Sequence, residues 1–314
     1  MVFKTGPDSK TIGLALGSGS ARGWAHIGVI HELAAMGVEP DVVCGTSIGA
    51  LVGAAYAGEQ LGMLDEWVRN IERRDIIAYL DIKLAGGGFV EGKRLIDFFR
   101  QSVGDVAIED LPKTFGAVAT ELTSGREVWF REGSLWNAIR ASISLPGIFT
   151  PMQLDDQWLV DGGLVNPVPI SLCRAMGADV VIAVNLNGDI VGKRFFSGEP
   201  PLDQVTRESA ASAFSKLSDD LRKLAGTLVS RLFEPETASP GIFDVLSGSI
   251  NIMQDRITRS RMAGDPPDVV LAPRLAHIQL MEFDRAAEAI EEGRRCVRRM
   301  APAIQDVLRD LRKV

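Results

Sequence analysis

The chain has 314 residues, 46% of them hydrophobic, and a formal net charge of -7. That length and apolar content can bury one large core, while the negative balance leaves no overall positive field to gather phosphate backbones, so nucleic acid is not an expected partner. The three cysteines, Cys44, Cys173 and Cys296, lie far apart in no Cys-x-x-Cys or Cys/His grouping, which argues against a disulfide framework and against a structural metal site.

Met1–Lys10 mixes charges with a proline where a secretory signal would carry an apolar stretch, so a cytoplasmic protein is expected. Thr11–Leu16 reads as a short buried strand, Gly17-Ser18-Gly19-Ser20 as a loop, and Arg22–Met36 as a helix closed by Gly37. The device repeats at once. Asp41–Cys44 is a second buried strand, Gly45-Thr46-Ser47-Ile48-Gly49 a tight turn, and Ala50–Ala57 a helix of small residues. Val42–Gly58 is uncharged over nearly the length of a membrane span, but its glycines, Thr46 and Ser47 suit a strand, a turn and a helix better.

Residues 61–104 read as helical around Gly86-Gly87-Gly88. Phe115–Thr120 and Glu127–Phe130 read as strands on either side of a turn at Ser124-Gly125. Trp136–Ser144 is expected as a helix stopped by Pro146. Gln157–Val160 is a strand running into Asp161-Gly162-Gly163, and Asp179–Asn185 is a buried strand after a helix ending near Met176. This β-then-α order predicts a mostly parallel sheet with helices on both faces. Gly188–Pro201 is Gly- and Pro-rich loop. Leu217, Leu221, Leu224, Leu228 and Leu232 then form a helical stripe, read as a helix docked on the core or as a lid. Asp268–Leu271 follows Pro266-Pro267 as the last core strand. From Ala286 to Leu311 apolar residues recur at steps of four and three, which predicts a long helix docked on the sheet and kinked at Pro302. Arg294, Arg295, Arg298, Arg299, Arg309, Arg312 and Lys313 form a solvated face or a peripheral contact with an anionic membrane.

Gly45-x-Ser47-x-Gly49 fits a nucleophile elbow, in which a strand turns sharply into a helix and holds the serine hydroxyl above the strand end. A nucleophilic serine needs donors for the oxyanion and a base for its proton. The loop Gly17 to Ser20 can supply the backbone donors at a helix start. Its rival reading is a dinucleotide phosphate loop using Gly17, Gly19 and Gly23, although Cys44-Gly45 stands where an acidic ribose-binding residue belongs. For the base, His26 and His31 fall on the first helix. The order Ser47, Asp161, His277 matches an α/β-hydrolase triad, but that fold places several strands before its elbow and only one fits before residue 41. Asp161-Gly162-Gly163 is either an ordinary turn or a carboxylate held at a strand end.

Four ordered blocks carry a resemblance. Residues 14–29, from Leu14 through Gly17-Ser18-Gly19-Ser20-Ala21-Arg22-Gly23 to Val29, are followed by Gly45-Thr46-Ser47-Ile48-Gly49, by Ala141 to Pro151, and by Asp161-Gly162-Gly163. Together they resemble the blocks of patatin-like phospholipases. The chain is most similar to the bacterial RssA-type branch, related to the neuropathy target esterase group, and the similarity runs on through Ile252-Met253-Gln254 and Pro266-Pro267-Asp268 to the C-terminal helix.

The resemblance implies an α/β protein with a three-layer α/β/α patatin-like fold and a mostly parallel central sheet. It implies one hydrolase domain over 1–314, with 188–265 a variable, mostly helical insertion or lid. It further implies a Ser-Asp dyad in which Ser47 is the nucleophile and Asp161 takes its proton. Gly17, Ser18, Gly19 and Ser20 would form the oxyanion hole, Gly45 and Gly49 would frame the elbow, and Gly162 and Gly163 would follow the acid, with no metal and no cofactor. The implied substrates are fatty acyl esters of (lyso)phospholipids or related lipids. One departure stands out: Ser18 and Ser20 occupy positions where the family usually has glycine, so a backbone requirement for positive φ there would strain the loop. On the same residues a non-catalytic lipid- or protein-binding regulator and an NAD(P)-dependent oxidoreductase remain as rival readings.

Overall fold

Val42–Thr46 is apolar at nearly every position, and a strand can hold such a run only where both of its faces are covered. In the computed structural model, which describes residues 10–72, 96–97, 100, 104–190 and 242–311, this run is β2, buried throughout. The other strands are β1 (Ile12–Leu16), β3 (Thr114–Glu121), β4 (Glu127–Phe130), β5 (Met152–Leu154), β6 (Gln157–Asp161), β7 (Val180–Val184) and β8 (Val269–Leu271). They form one sheet in the order β5-β6-β3-β2-β1-β7-β8, with β4 also paired to β3. β3, β2, β1, β7 and β8 run parallel, β4 and β6 each pair antiparallel with β3, and β5 pairs antiparallel with β6. The sheet is thus parallel at its centre and mixed at one end, because the short β5–β6 hairpin brings the chain back antiparallel to β3.

The helices are α1 (Ala25–Ala35), α2 (Ile48–Ala57), α3 (Leu61–Asn70), α4 (Leu135–Ser142), α5 (Ile170–Ala175), α6 (Ile242–Gly264) and α7 (Ala286–Leu311). Alternate strand residues point to opposite faces. Leu14, Leu16, Val43, Phe115 and Val184 accordingly meet α1, α2, α4 and α7, while Ala15, Cys44, Val118 and Ala183 meet α5 and Met262 near the end of α6. Helix, sheet and helix make the three layers of the α/β/α fold.

Several boundaries differ from the sequence reading. Ser20–Trp24 is a 3-10 turn, so α1 begins only at Ala25. β5, three residues long, carries too little pattern to be read in advance. α7 docks chiefly against α1 and also meets β8 of the sheet. The close crossing requires glycine: a Cβ on Gly28 would lie 1.8 Å from the Ile290 carbonyl oxygen, and one on Gly293 2.1 Å from that of Ala25. Pro302 lies inside α7, which continues to Leu311. The leucine stripe at 217–232, the Gly86-Gly87-Gly88 interruption and most of the segment 188–265 lie outside the described residues. Among the described residues no helix is long and apolar enough to cross a membrane.

Candidate active site

The turn after β2 brings the chain into α2 so tightly that only glycine fits at its two ends. A Cβ on Gly45 would sit 2.3 Å from the Gly49 carbonyl oxygen, and one on Gly49 2.1 Å from that of Leu16. Ser47 between them has φ 58, a left-handed conformation costing about 1–3 kcal/mol for a residue with a side chain. Surrounding bonds hold it there. Its N–H donates to Ser142 Oγ at 2.8 Å, and that hydroxyl donates to the Val118 carbonyl at 2.6 Å. The preceding Thr46 hydroxyl is tied to the Asn166 carbonyl at 2.8 Å. The strained elbow thus leans on β3, α4 and the loop after β6.

Asp161 ends β6. Its N–H donates to the Ser144 carbonyl at 2.9 Å, and its own carbonyl accepts from Thr120 Oγ1 at 2.8 Å. With the backbone fixed at both ends, the carboxylate meets the elbow: Ser47 Oγ donates to Asp161 Oδ2 at 2.5 Å, and Gly163 N–H donates to Oδ1 at 2.7 Å. Asp161 is fully buried and Ser47 is 8% exposed. Burial pushes the carboxyl up to about 7, against the hydrogen bonds from Ser47 and Gly163 that favour its charged form. A carboxylate poised near neutrality can accept a proton from a hydroxyl and return it.

Beside this pair runs the glycine-serine loop. The Gly17 and Ser18 amides are already used, by the Val184 carbonyl at 3.1 Å and the Pro167 carbonyl at 2.8 Å. The Gly19 and Ser20 amides have no protein acceptor among the described residues. Ser18 and Ser20 differ sharply in what they make of the missing glycine. Only Ser20 takes positive φ, at 51, and its hydroxyl donates to the Leu280 carbonyl at 2.6 Å, a bond that glycine could not form. Leu145, Ile250 and Leu280 add apolar walls to the small cleft that Ser47, Asp161 and the loop share.

The histidines stand elsewhere. His26 is fully buried, donates through Nε2 to the Gly17 carbonyl at 2.8 Å, and is held at about 4 by burial, so it braces the loop in neutral form. His277 is bonded to Glu288 at 2.6 Å on the surface, and the Ser47 hydroxyl is occupied by Asp161. Arginines on α7 are paired with carboxylates: Arg298 with Glu32, and Arg295 and Arg299 with Glu292. Among the described residues no three His, Cys, Asp or Glu side chains gather as a metal site.

Four contributors escaped the sequence reading of roles: Arg22, Ser142, Asn251 and Gln254. Gln254 Oε1 accepts from Ser18 Oγ at 3.0 Å and from Asn187 Nδ2 at 2.9 Å. Each lies inside or next to a block that carries the resemblance, and that proximity is the one signal that could have singled them out.

Comparison with known proteins defines the class. The patatin-like phospholipase family pattern matches residues 14–174, which hold the end of β1, the glycine-serine loop, the elbow and Asp161. An NTE family protein of Mycobacterium tuberculosis, described as uncharacterized, is 34% identical over 92% of this chain and 91% of its own length. The chain therefore belongs to the patatin-like phospholipase family, which makes it a lipid hydrolase in general terms. Within that family it is kin to the NTE group, as the sequence blocks imply. Patatin-like phospholipase domain-containing protein 6 of Mus musculus is 36% identical over 56% of this chain, a stretch that is 13% of the mouse protein. Among solved structures, VipD from Legionella pneumophila aligns with 94% of this chain and 67% of its own at 13% identity and a TM-score of 0.45.

Proposed function

We propose that the protein is a serine hydrolase that cleaves fatty acyl esters of (lyso)phospholipids or related lipids through an acyl-Ser47 intermediate, with Asp161 as base and no cofactor. The observation that carries the reading is the 2.5 Å hydrogen bond from Ser47 Oγ to a buried carboxylate. In the first half-reaction the Ser47 oxygen attacks the ester carbonyl while its proton passes to Asp161 Oδ2. The negative oxygen so formed accepts from the Gly19 and Ser20 amides, the two loop donors left free of protein acceptors among the described residues. When the tetrahedral species collapses, the departing alkoxide takes the proton from Asp161. Water then attacks the acyl ester, gives its proton to Asp161, and the returning proton frees Ser47.

Gly17 and Ser18 enter this reading as supports of the loop rather than as donors, since their amides are bonded elsewhere. A lipid acyl chain suits the apolar walls, and Val245, Leu246, Ile252 and Met253 on α6 are exposed apolar side chains. Contact with an anionic membrane would have to compete with the ion pairs that Arg295, Arg298 and Arg299 of α7 already make. The proposed organisation is a single hydrolase domain, with the segment 188–265 contributing α6 to the site.

A fluorophosphonate probe tests the reading. Labelling of the wild type at Ser47, lost in Ser47→Ala and strongly slowed in Asp161→Asn, is the expected result. Absence of labelling in the wild type with phospholipid vesicles present overturns it in favour of a binding role on the same fold. Comparison of lipid profiles between wild type and Ser47→Ala then identifies the head group and acyl chain.

A further inference from the structure

α6 delivers Asn251 to the site, a residue that the acyl-transfer steps leave without a role. Asn251 is 3% exposed, and its Oδ1 accepts from Arg22 Nη2 at 3.0 Å. Arg22 is fully buried, and its Nε donates to the Gly19 carbonyl at 3.1 Å. A guanidinium carries donors only, so the amide of Asn251 must turn its oxygen towards Arg22. The opposite end, Nδ2, is buried with no acceptor among the described residues. Burying that donor costs stability, and the orientation persists because Arg22 demands an acceptor there.

The Gly19 carbonyl and the Ser20 N–H belong to one planar trans peptide and point in opposite directions. A cation gripping the carbonyl therefore aims the N–H away from itself. On the far side of Ser20, the Leu280 carbonyl accepts from Ser20 Oγ at 2.6 Å and from the Ala21 N–H at 3.2 Å. The left-handed backbone at Ser20 is thus clamped before by Arg22, which distant Asn251 holds in turn, and after by the Leu280 carbonyl.

We infer that Arg22 and Asn251 are positioning residues for the oxyanion hole: through the Gly19 carbonyl they set the direction of the Ser20 N–H, so that α6 completes the catalytic loop. The inference rests on the reading of Ser20 as an oxyanion donor. It assigns no substrate contact to either side chain.

The full chain carries the test as wild type, Asn251→Ala and Asn251→Asp. Each is assayed for kcat and KM on p-nitrophenyl butyrate and for inhibition by a trifluoromethyl ketone with the same acyl chain, which mimics the tetrahedral oxyanion. Asn251→Asp keeps an acceptor for Arg22 and is expected to stay within about threefold of wild type in kcat and in ketone affinity. Asn251→Ala removes the acceptor. Its kcat is expected to fall about 10- to 100-fold and its ketone affinity in parallel, with KM little changed, since the donor is engaged only in the tetrahedral species. Equal losses in both variants with a raised KM overturn the inference, because the shared defect would then be the missing Nδ2 donor and a lost substrate contact. Unchanged kcat in Asn251→Ala overturns it as well. Should Asn251→Ala not fold, Asn251→Leu, which fills the volume without an acceptor, takes its place: lost ketone affinity in Asn251→Leu but not in Asn251→Asp supports positioning, and retained affinity in both refutes it. If the wild type forms no covalent ketone adduct at Ser47, the dyad reading itself fails, an outcome distinct from any of these.

Discussion

The two halves of the candidate site are held in place by different parts of the chain. The elbow is largely a local construction: β2, a turn bounded by Gly45 and Gly49, and α2 follow one another within sixteen residues, from Val42 to Ala57. The glycine-serine loop also lies between a strand and a helix, yet its conformation depends on Arg22 bonded to Asn251, on Ser18 bonded to Gln254, and on the Leu280 carbonyl. The nucleophile sits on one short turn that takes its outside support at Ser142 and Asn166, whereas the loop donors, which must aim at a charge not yet formed, are braced from α6 and the Leu280 carbonyl as well. The contrast predicts that damage to the elbow is severe and local, and that damage to the loop is transmitted from afar.

The largest effect is expected at the pair itself. Ser47→Ala and Asp161→Asn should each lower ester turnover by about 10⁴-fold or more while leaving the fold intact, as measured by steady-state kinetics and by circular dichroism. Retention of substantial activity in Asp161→Asn breaks the comparison at its root, because another base would have to serve. Next comes Gly49→Ala. The added carbon meets the backbone of Leu16, which cannot rotate away, so a loss of about 1–3 kcal/mol or more in unfolding free energy is expected by denaturant titration, with activity falling alongside. A stable, active Gly49→Ala protein would show that the elbow has more room than its geometry allows.

Ser142→Ala sharpens the comparison, since it attacks the elbow's main outside support. The Ser47 N–H loses its buried acceptor, and a destabilisation of about 1–3 kcal/mol is expected, with turnover reduced about tenfold as the serine drifts from Asp161. Ser142→Thr, which keeps the hydroxyl, should recover most of the turnover if the methyl is accommodated.

The last expected effect is on pH dependence. Turnover should rise with pH as Asp161 ionises around 7. Stability should move the other way. The folded carboxyl holds its proton more tightly than the unfolded one, whose ordinary value is 3.8, so the stabilising contribution is complete below that value and is lost as pH climbs towards about 7. The melting temperature of Asp161→Asn relative to wild type should therefore rise over that window and then level off. A flat difference would mean that the carboxyl is not raised.

What could be read in advance follows the same division. β1 and β2 with the helices after them, and β7 by itself, announce themselves by apolar runs, and Gly45-x-Ser47-x-Gly49 announces its turn by spacing alone. Asp161 could be assigned a role only through the resemblance, because Asp-Gly-Gly by itself describes any tight turn. Ser142 and Asn251 were opaque for a physical reason. A serine near the end of α4 and an asparagine on α6 look like ordinary helix residues until the fold sets one beneath the elbow and the other beside a buried guanidinium. Ser20 shows the converse: a departure from glycine that looked like a weakness proves to carry a hydroxyl bond suited to its strained backbone.

The tie from the loop to the Leu280 carbonyl also sets an order of events during synthesis. Ser47 and Asp161 leave the ribosome well before residues 251 and 280, so a nascent chain can hold both reacting groups while its anion-receiving amides are still unanchored. Hydrolytic competence should then switch on late, once translation has passed Leu280. A half-made or prematurely terminated polypeptide would be a poor attacker of the lipids around it.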